Sequence, residues 1–291
     1  PALKQARLDQ LMRHDAFQFV HADIADMEAL SSAVTDEIDS IVHLAAQAGV
    51  RYSLVNPGAY VRANLVGHFN MLELARDLGD ELRHFVYASS SSVYGGNTKL
   101  PFSVEDRVDS PVSLYAATKR ADELMTHAYA SMFGLVATGL RYFTVYGPWG
   151  RPDMSAYIFV SKILAGEPIP VFNHGDMSRD FTFVDDVVAG TMAALDRPPK
   201  RGTSSGTAEP AHRIFNLGNN RPQPLLRFIE VIETSLGRKA TIKHEPMPPG
   251  DVKATFADID LAHRELGFAP KITIEDGIPR FVSWYLDYHG K

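Results

Sequence analysis

Tyr115 and Lys119 stand four residues apart in the segment LYAATKRADE. On a helix that spacing puts both side chains on one face, about one turn from each other. An ammonium beside a phenol favours the phenolate and lowers the tyrosine pKa. A tyrosine so placed can act as general base toward an alcohol. An amphipathic helix carries the same two residues for no chemical reason, so the pair gains meaning only from its surroundings. Upstream, residues 87–95 read YASSSSVYG at the end of a predicted strand. Ligands of open α/β sheets sit at the carboxyl ends of strands, and serines there are costly to bury unpaired. A hydroxyl-rich turn is the plainer explanation. A strand-end serine followed by YxxxK on the next helix gives a Ser–Tyr–Lys proton-transfer set.

Other segments could bind rather than react. HLAAQAG (43–49) places small residues after a strand, where a ligand can approach the backbone or the chain can simply turn tightly. In HADIAD (21–26), Asp23 could accept from an adenine amino group or cap the next helix. Arg151 in GPWGRPD and Arg179 in GDMSRDF suit bidentate binding of phosphate or carboxylate, or a surface salt bridge. Phe172 could stack on a base or pack in the core. GTSSG (202–206) matches GxSxG but lies in a polar loop, not in a strand–turn–helix. The 11 histidines form no HExxH or other i, i+4 pair, so no metal site is expected.

These residues need elements to position them. Strand-like runs at 18–24 (QFVHADI), 40–46 (SIVHLAA), 84–90 (HFVYASS) and 137–146 (ATGLRYFTVY) alternate with helical periodicity at 27–35, 57–78 and 114–133. Alternation of this kind predicts an α/β fold with a doubly wound parallel sheet, its strands nearly all apolar. Farther on, helices are expected at 156–164, 184–195, 225–236, 260–266 and 274–289, and short strands at 168–172 and 213–217. Residues 198–212 (PPKRGTSSGTAEPAH) should form a mobile surface loop. Two units are expected, 1–147 binding a dinucleotide and 148–291 binding substrate, with some interleaving. The 291 residues carry 29 basic and 35 acidic side chains, which argues against nucleic acid as partner. The sequence has no cysteine, so neither disulfides nor thiolate chemistry are expected. No apolar run approaches the ~18 residues of a membrane span and no signal peptide is visible, so no membrane partner and a cytoplasmic location are expected.

Taken in order, SSSSVYG, YAATK, LRYFTVYGPWGRPD, GDMSRDFTFVDD and PPGDV resemble the extended short-chain dehydrogenase/reductases. Within them the chain is most similar to NAD-dependent nucleotide-sugar epimerases, above all UDP-glucuronate 4-epimerases. That resemblance implies a Rossmann-type sheet, NAD as cofactor, a UDP-sugar substrate and a homodimer built on the helices that start at Pro57 and Leu114. It implies that Tyr115 takes the proton of the sugar 4-hydroxyl. Lys119 would lower its pKa and bond the nicotinamide ribose, and Ser90 would bond the same sugar oxygen. Asp23 and Ile24 match adenine contacts. Leu44, Ala45, Ala46, Gln47 and Asn64 match positions that line the dinucleotide, with Tyr142 and Phe143 near the nicotinamide. Arg179 and Asp251 match contacts to diphosphate and uridine ribose, and Phe172 matches the uracil pocket.

Relatives that dehydrate place Asp and Glu directly after the position of Ser90, and those that decarboxylate place Glu nearby. Here Ser91 and Ser92 stand there, and serine is no acid/base at neutral pH without activation. Epimerisation is therefore expected, with Ser91, Ser92 and Thr144 holding a uronate carboxylate and Arg151 balancing its charge or binding phosphate. UDP-glucose or UDP-N-acetylhexosamine epimerisation is the alternative substrate reading, and an inactive nucleotide-sugar-binding protein the alternative class. One departure stands out. The family's TGxxGxxG turn, which cradles a pyrophosphate at a helix N-terminus, does not occur in this sequence. By the resemblance, roughly 35 to 40 residues of the first βαβ unit are missing, counted from the ~30-residue unit and its following loop. The expectation is a fragment of a longer enzyme.

Overall fold

The computed structural model describes residues 2–34, 38–200, 202–204, 207–248 and 250–290. The first half runs α1 (Ala2–Leu11), α2 (Met27–Ala33), β1 (Ser40–His43), α3 (Tyr52–Val55), α4 (Pro57–Tyr60), a π-helical stretch (Val61–Val66), α5 (Gly67–Leu78), β2 (His84–Ser90), α6 (Leu114–Phe133), β3 (Ala137–Tyr142) and β4 (Thr144–Tyr146). The second half adds α7 (Ser155–Ala165), β5 (Ile169–Phe172), β6 (Ser178–Arg179), β7 (Phe181–Phe183), α8 (Val184–Leu195), β8 (Gly202–Ser204), β9 (Thr207–Glu209), β10 (His212–Leu217), β11 (Gln223–Pro224), α9 (Leu225–Leu236), β12 (Ile242–Glu245), α10 (Asp260–Leu266) and α11 (Ile274–His289).

The expected parallel sheet is present, in the order β1-β2-β3-β10. Register sets Ser90 opposite Tyr142, and Tyr142 opposite Leu217. The carboxyl ends of three strands thus form one level edge. Alternate residues of β2 feed two cores. Phe85 and Tyr87 pack with Leu72 and Ala75 of α5, while Val86 packs with Leu217, Ala262 and Leu266. With both faces covered, all but one residue of β2 are buried, and polar alternation would have been penalised. A third core, around Phe159, Val160, Phe181, Phe228, Ile232, Ile278 and Phe281, joins α7, α9 and α11 over β5 and β7. Phe181 and Phe228 stack there with centroids 3.8 Å apart.

Several expected elements differ. Residues 18–24 are not a strand; a strand needs a ladder partner for its backbone groups, and no described segment pairs with them. Residues 40–46 are strand only to His43, because the small residues after it leave the sheet. The expected strand 137–146 breaks at Phe143 into two pieces with different partners: β3 lies between β2 and β10, whereas β4 pairs with β7. Within 57–78 the helix passes through a π-helical stretch. Within 198–212, β8 and β9 pair antiparallel where only a loop was expected; Arg201, Ser205 and Gly206, and with them part of GTSSG, lie outside the described residues, as does Thr35 of the expected helix 27–35.

Candidate active site

Helix α6 brings the first pair into place. Ser113 caps it, its hydroxyl accepting from the Ala116 N–H at 3.1 Å, and this satisfies a donor that the first turn leaves open. Tyr115 therefore lies in the first turn and Lys119 one turn on. Tyr115 is half-buried, and its ring meets the Tyr60 ring edge-on at 6.0 Å. Tyr60 is itself fixed: its hydroxyl donates to the Gly49 carbonyl at 2.5 Å. Lys119 is buried, and its ammonium donates to the Ala88 carbonyl of β2 at 2.9 Å and to Asp122 Oδ2 at 3.0 Å. An ammonium has three N–H groups, so one remains for a third acceptor.

The strand-end serines sit at the carboxyl end of β2, two residues beyond the carbonyl that Lys119 holds. Ser90 Oγ accepts from the Ser92 N–H at 3.2 Å and donates to Ser92 Oγ at 3.2 Å. This opens the 3₁₀ turn Ser91–Tyr94. Gly95 ends that turn at φ 55°, where a Cβ would run into the Ser110 carbonyl. Ser91, Ser92, Ser113, Thr144, Arg179 and Asp251 line one cavity of about 130 Å³. Of the residues expected to meet substrate, Ser91, Ser92, Thr144, Arg179 and Asp251 therefore converge on this cavity, whereas Ser90, Arg151 and Phe172 do not line it. Arg179 donates to Asp251 Oδ1 at 2.6 Å, and Arg51 approaches Asp251 Oδ2 at 3.8 Å. Burial pulls the Arg179 pKa below its ordinary value, against the pull of Asp251.

Other expected residues do not line this cavity. Phe172 has its ring face covered by the Arg51 guanidinium, 4.1 Å from the centroid. Arg151 is engaged by Asp153, with Nε to Oδ1 at 3.0 Å, beside Gly49. Asn64 is buried and fixes the turn after β1: its Oδ1 accepts from the Gln47 N–H at 2.8 Å, and its Nδ2 donates to the Gln47 carbonyl at 3.1 Å and to Thr118 at 2.9 Å. Leu44, Ala45 and Ala46 form the irregular stretch that it holds against α6. Asp23 accepts from the Ala25 N–H at 2.9 Å and pairs with Arg62 at 2.8 Å; that arginine bond, with the backbone one, holds its pKa below the usual value. The cap of α2 is Asp26 instead. Ile24 offers its carbonyl to Asn70 at 2.9 Å. The Tyr142 phenol is spent on Thr191 of α8 at 3.0 Å and is pushed up to about 12 by burial. Phe143 is buried beside Tyr94.

Beneath the serines lies a network that motif reading missed. Glu123 grips Arg141 with two bonds, Nε–Oε1 at 2.8 Å and Nη2–Oε2 at 2.9 Å, and accepts from Ser89 at 2.6 Å. Arg141 also donates to the Tyr94 hydroxyl at 3.0 Å, which donates to Asn216 at 2.7 Å. Burial pushes the Glu123 carboxyl up, but Arg141, Ser89 and Arg120 outweigh it and hold it below its ordinary range. The available signal was spacing: Asp122 and Glu123 follow Lys119 by three and four residues, hence on its own helix face. Asp180 is a second missed carboxylate, wholly buried and accepting from the backbone of Asn219, Asn220 and Ala257 at 2.6, 3.1 and 2.9 Å. It fixes the loop behind Arg179. Among the described residues no group of three His, Cys, Asp or Glu side chains is placed to hold a metal.

The profile of one family, GDP-mannose 4,6-dehydratase, matches residues 2–281. The chain belongs to that family. Within the GDP-mannose 4,6-dehydratase family it is 46% identical to a probable UDP-glucuronate 4-epimerase of Rhizobium meliloti, over 97% of this chain and 85% of that protein. It is 47% identical to UDP-glucuronate 4-epimerase 4 of Arabidopsis thaliana, over 99% of this chain and 67% of that protein. Its fold matches the crystal structure of UDP-glucuronic acid 4-epimerase from Bacillus cereus in complex with UDP-glucuronic acid and NAD, with a TM-score of 0.86, 32% identity, and 99% and 87% of the two chains covered. Such likeness extends over nearly the whole chain.

Proposed function

We propose that this chain is an NAD-dependent epimerase that inverts C4 of a UDP-sugar, interconverting UDP-glucuronate and UDP-galacturonate. The observation that carries the reading is the cavity wall. Ser91, Ser92 and Thr144 line it together with Arg179, Asp251 and Ser113, the residue that caps the helix carrying Tyr115 and Lys119. The two positions after Ser90 hold hydroxyls, where dehydration would need an acid and a base. The named relatives act in this way or bind these molecules.

The residues present fit the ribose–nicotinamide half of NAD. Asn64 shapes the backbone turn at the end of β1, and Lys119 keeps one N–H to offer. The sequence contains no glycine-rich turn for the pyrophosphate. NAD bound there would supply the acceptor for the hydride of C4 and the donor that returns it to the other face of the sugar. Tyr115 takes the 4-hydroxyl proton in the first half of the cycle and gives it back in the second, so no net proton is consumed. Lys119 stabilises the phenolate and meets the ribose with its remaining N–H. Ser90 hydrogen-bonds the sugar oxygen. Ser91, Ser92 and Thr144 hold the uronate carboxylate out of line with the ring carbonyl's π system, which suppresses loss of CO₂ from the β-keto acid. Arg179 and Asp251 bind the diphosphate and the ribose of uridine, Phe172 the uracil, and Arg151 balances acid or phosphate charge. Asp23 and Ile24 contact adenine, while Leu44, Ala45, Ala46, Gln47, Tyr142 and Phe143 line the dinucleotide.

No helix among the described residues is long and apolar enough to cross a membrane, and we place the protein in the cytoplasm as a homodimer. Val61, Phe69, Leu124, Met132 and Phe133 are exposed on the helical stretch from Pro57 and on α6, a pair of surfaces suited to a second copy. A monomeric mass by light scattering at micromolar concentration would refute the dimer. The test of function is chromatographic. The protein is incubated with NAD and UDP-glucuronate, and UDP-galacturonate is expected, with none from Tyr115→Phe. Faster turnover of UDP-glucose or UDP-N-acetylglucosamine would overturn the choice of sugar.

A further inference from the structure

We propose that Asp122 is a positioning residue of the proton-transfer site, fixing the Lys119 ammonium and competing with Tyr115 for its single positive charge. The proposal rests on the reading of Tyr115 and Lys119 as the proton-transfer pair. Positions 115, 119 and 122 follow one another at helical spacings of four and three, so one face of α6 presents phenol, ammonium and carboxyl in line. The pair is sealed from water: the Lys119 and Asp122 side chains are 4% and 0% exposed, with Nζ and Oδ2 3.0 Å apart. Of the three N–H groups on Lys119, the Ala88 carbonyl and Asp122 take two. The ammonium is thereby aimed before any ligand arrives, which spares the entropy of ordering a long side chain on binding.

The same contact has an electrostatic consequence. On the reading of Tyr115 and Lys119 as the proton-transfer pair, a phenolate at Tyr115 and a carboxylate at Asp122 would share one cation, which couples the two charges. The groups around them do not obscure this. Glu123, on the same helix, is held ionised by Arg141, Ser89 and Arg120 although burial opposes it. His43 of β1 is pushed down to about 3 by burial and by Lys119, and His68 of α5 is lowered by burial, so both stay neutral. Tyr87 of β2 is raised by burial and by the charge of Glu123, and stays protonated. Asp122 differs from them: burial pushes it up to about 7 against the pull of Lys119. Its Oδ1 is buried and has no hydrogen-bond partner among the described residues, so the ionised form is poorly solvated there. Near neutrality Asp122 therefore passes between a carboxyl that leaves the ammonium to Tyr115 and a carboxylate that shares it.

The experiment measures kcat and KM against pH, with NAD and UDP-glucuronate, for the wild type, Asp122→Asn and Tyr115→Phe. With the competing charge gone, the acid limb of kcat in Asp122→Asn should lie lower by about half a pH unit or more. KM for UDP-glucuronate should stay within about twofold, because Asp122 lies behind Lys119 rather than in the cavity wall. An unmoved limb, whatever the loss in kcat, overturns the proposal and leaves Asp122 a packing residue. Activity retained by Tyr115→Phe instead overturns the reading beneath it. If the asparagine variant does not fold, Asp122→Ser is read in the same way. If neither folds, the wild-type profile decides: coupled ionisation spreads the acid limb over a wider pH range than one proton gives, and a single-proton curve refutes the coupling.

Discussion

Removing Glu123 should expose what the Arg141 charge costs when it loses its counter-ion. Arg141 is 1% exposed and Glu123 is 1% exposed, and the two are joined by bonds of 2.8 and 2.9 Å. In Glu123→Leu the guanidinium stays buried with only the Tyr94 hydroxyl as hydrogen-bond partner among the described residues, and Ser89 and Arg120 lose this acceptor. Stranding one member of a buried pair costs about 3–5 kcal/mol. At ~2.1 cal/mol/K of unfolding entropy per residue, a chain of this size loses about 5–8 °C in Tm. The assay is urea unfolding followed by fluorescence, read as a lower midpoint at an unchanged slope. The double variant Glu123→Leu with Arg141→Met should recover most of the loss, because replacing both charges by apolar groups is often neutral. A single variant within about 1 kcal/mol of wild type would refute the reasoning. A double variant no better than the single would assign the loss to packing instead of charge.

Ser113→Ala removes the cap of α6 and should cost about 1 kcal/mol in urea melts, lowering kcat as well because Tyr115 sits in the uncapped turn. Thr144→Ala should weaken UDP-glucuronate binding and release a decarboxylated sugar nucleotide, detectable by mass spectrometry; unchanged affinity with no such product would refute the carboxylate-holding role. Arg51→Ala uncovers Phe172 and frees one oxygen of Asp251, so KM for the UDP-sugar should change by several-fold while kcat holds. Acid should weaken the fold through its buried imidazoles. Burial pushes His43 to about 3 and His84 to about 4, both from 6.5. The unfolded chain binds these protons first, so this stability is whole above about pH 6.5 and is lost as pH falls toward 3. The urea midpoint of His43→Phe should fall less steeply from pH 7 to 5 than that of the wild type.

Elements with local punctuation were legible to the residue. Helix α6 is bounded by Ser113 and by Gly134 in the left-handed region, and α9 ends at Gly237 in the same conformation. Both ranges follow from apolar spacing plus those signals. Elements defined by partners were not. Nothing in ATGLRYFTVY announces that Phe143 ends one pairing and Thr144 begins another, because β7 lies some forty residues on and sequence alone does not place it. QFVHADI has strand composition, yet composition supplies no partner. The site divides in the same way. Ser90, Ser91, Ser92, Tyr115 and Lys119 lie within 30 residues and share one motif context. Arg51 over Phe172, and Tyr60 against Tyr115, are meetings of distant segments for which no motif exists.

The place of β10 in the sheet also has a temporal side. Its neighbour β3 ends at Tyr142, while β10 begins at His212. A ribosome must therefore add about seventy residues, at ~5–20 per second, before that neighbour can be laid down. During those seconds β3 presents an open row of amides and carbonyls, the surface that recruits a stray strand. Arg213 and Phe215, the first of them salt-bridged to Glu265, then close the row. Protein released by cleavage between β3 and β10 would keep the Tyr115–Lys119 pair and lose the strand beside its platform. It should reach the soluble fraction poorly.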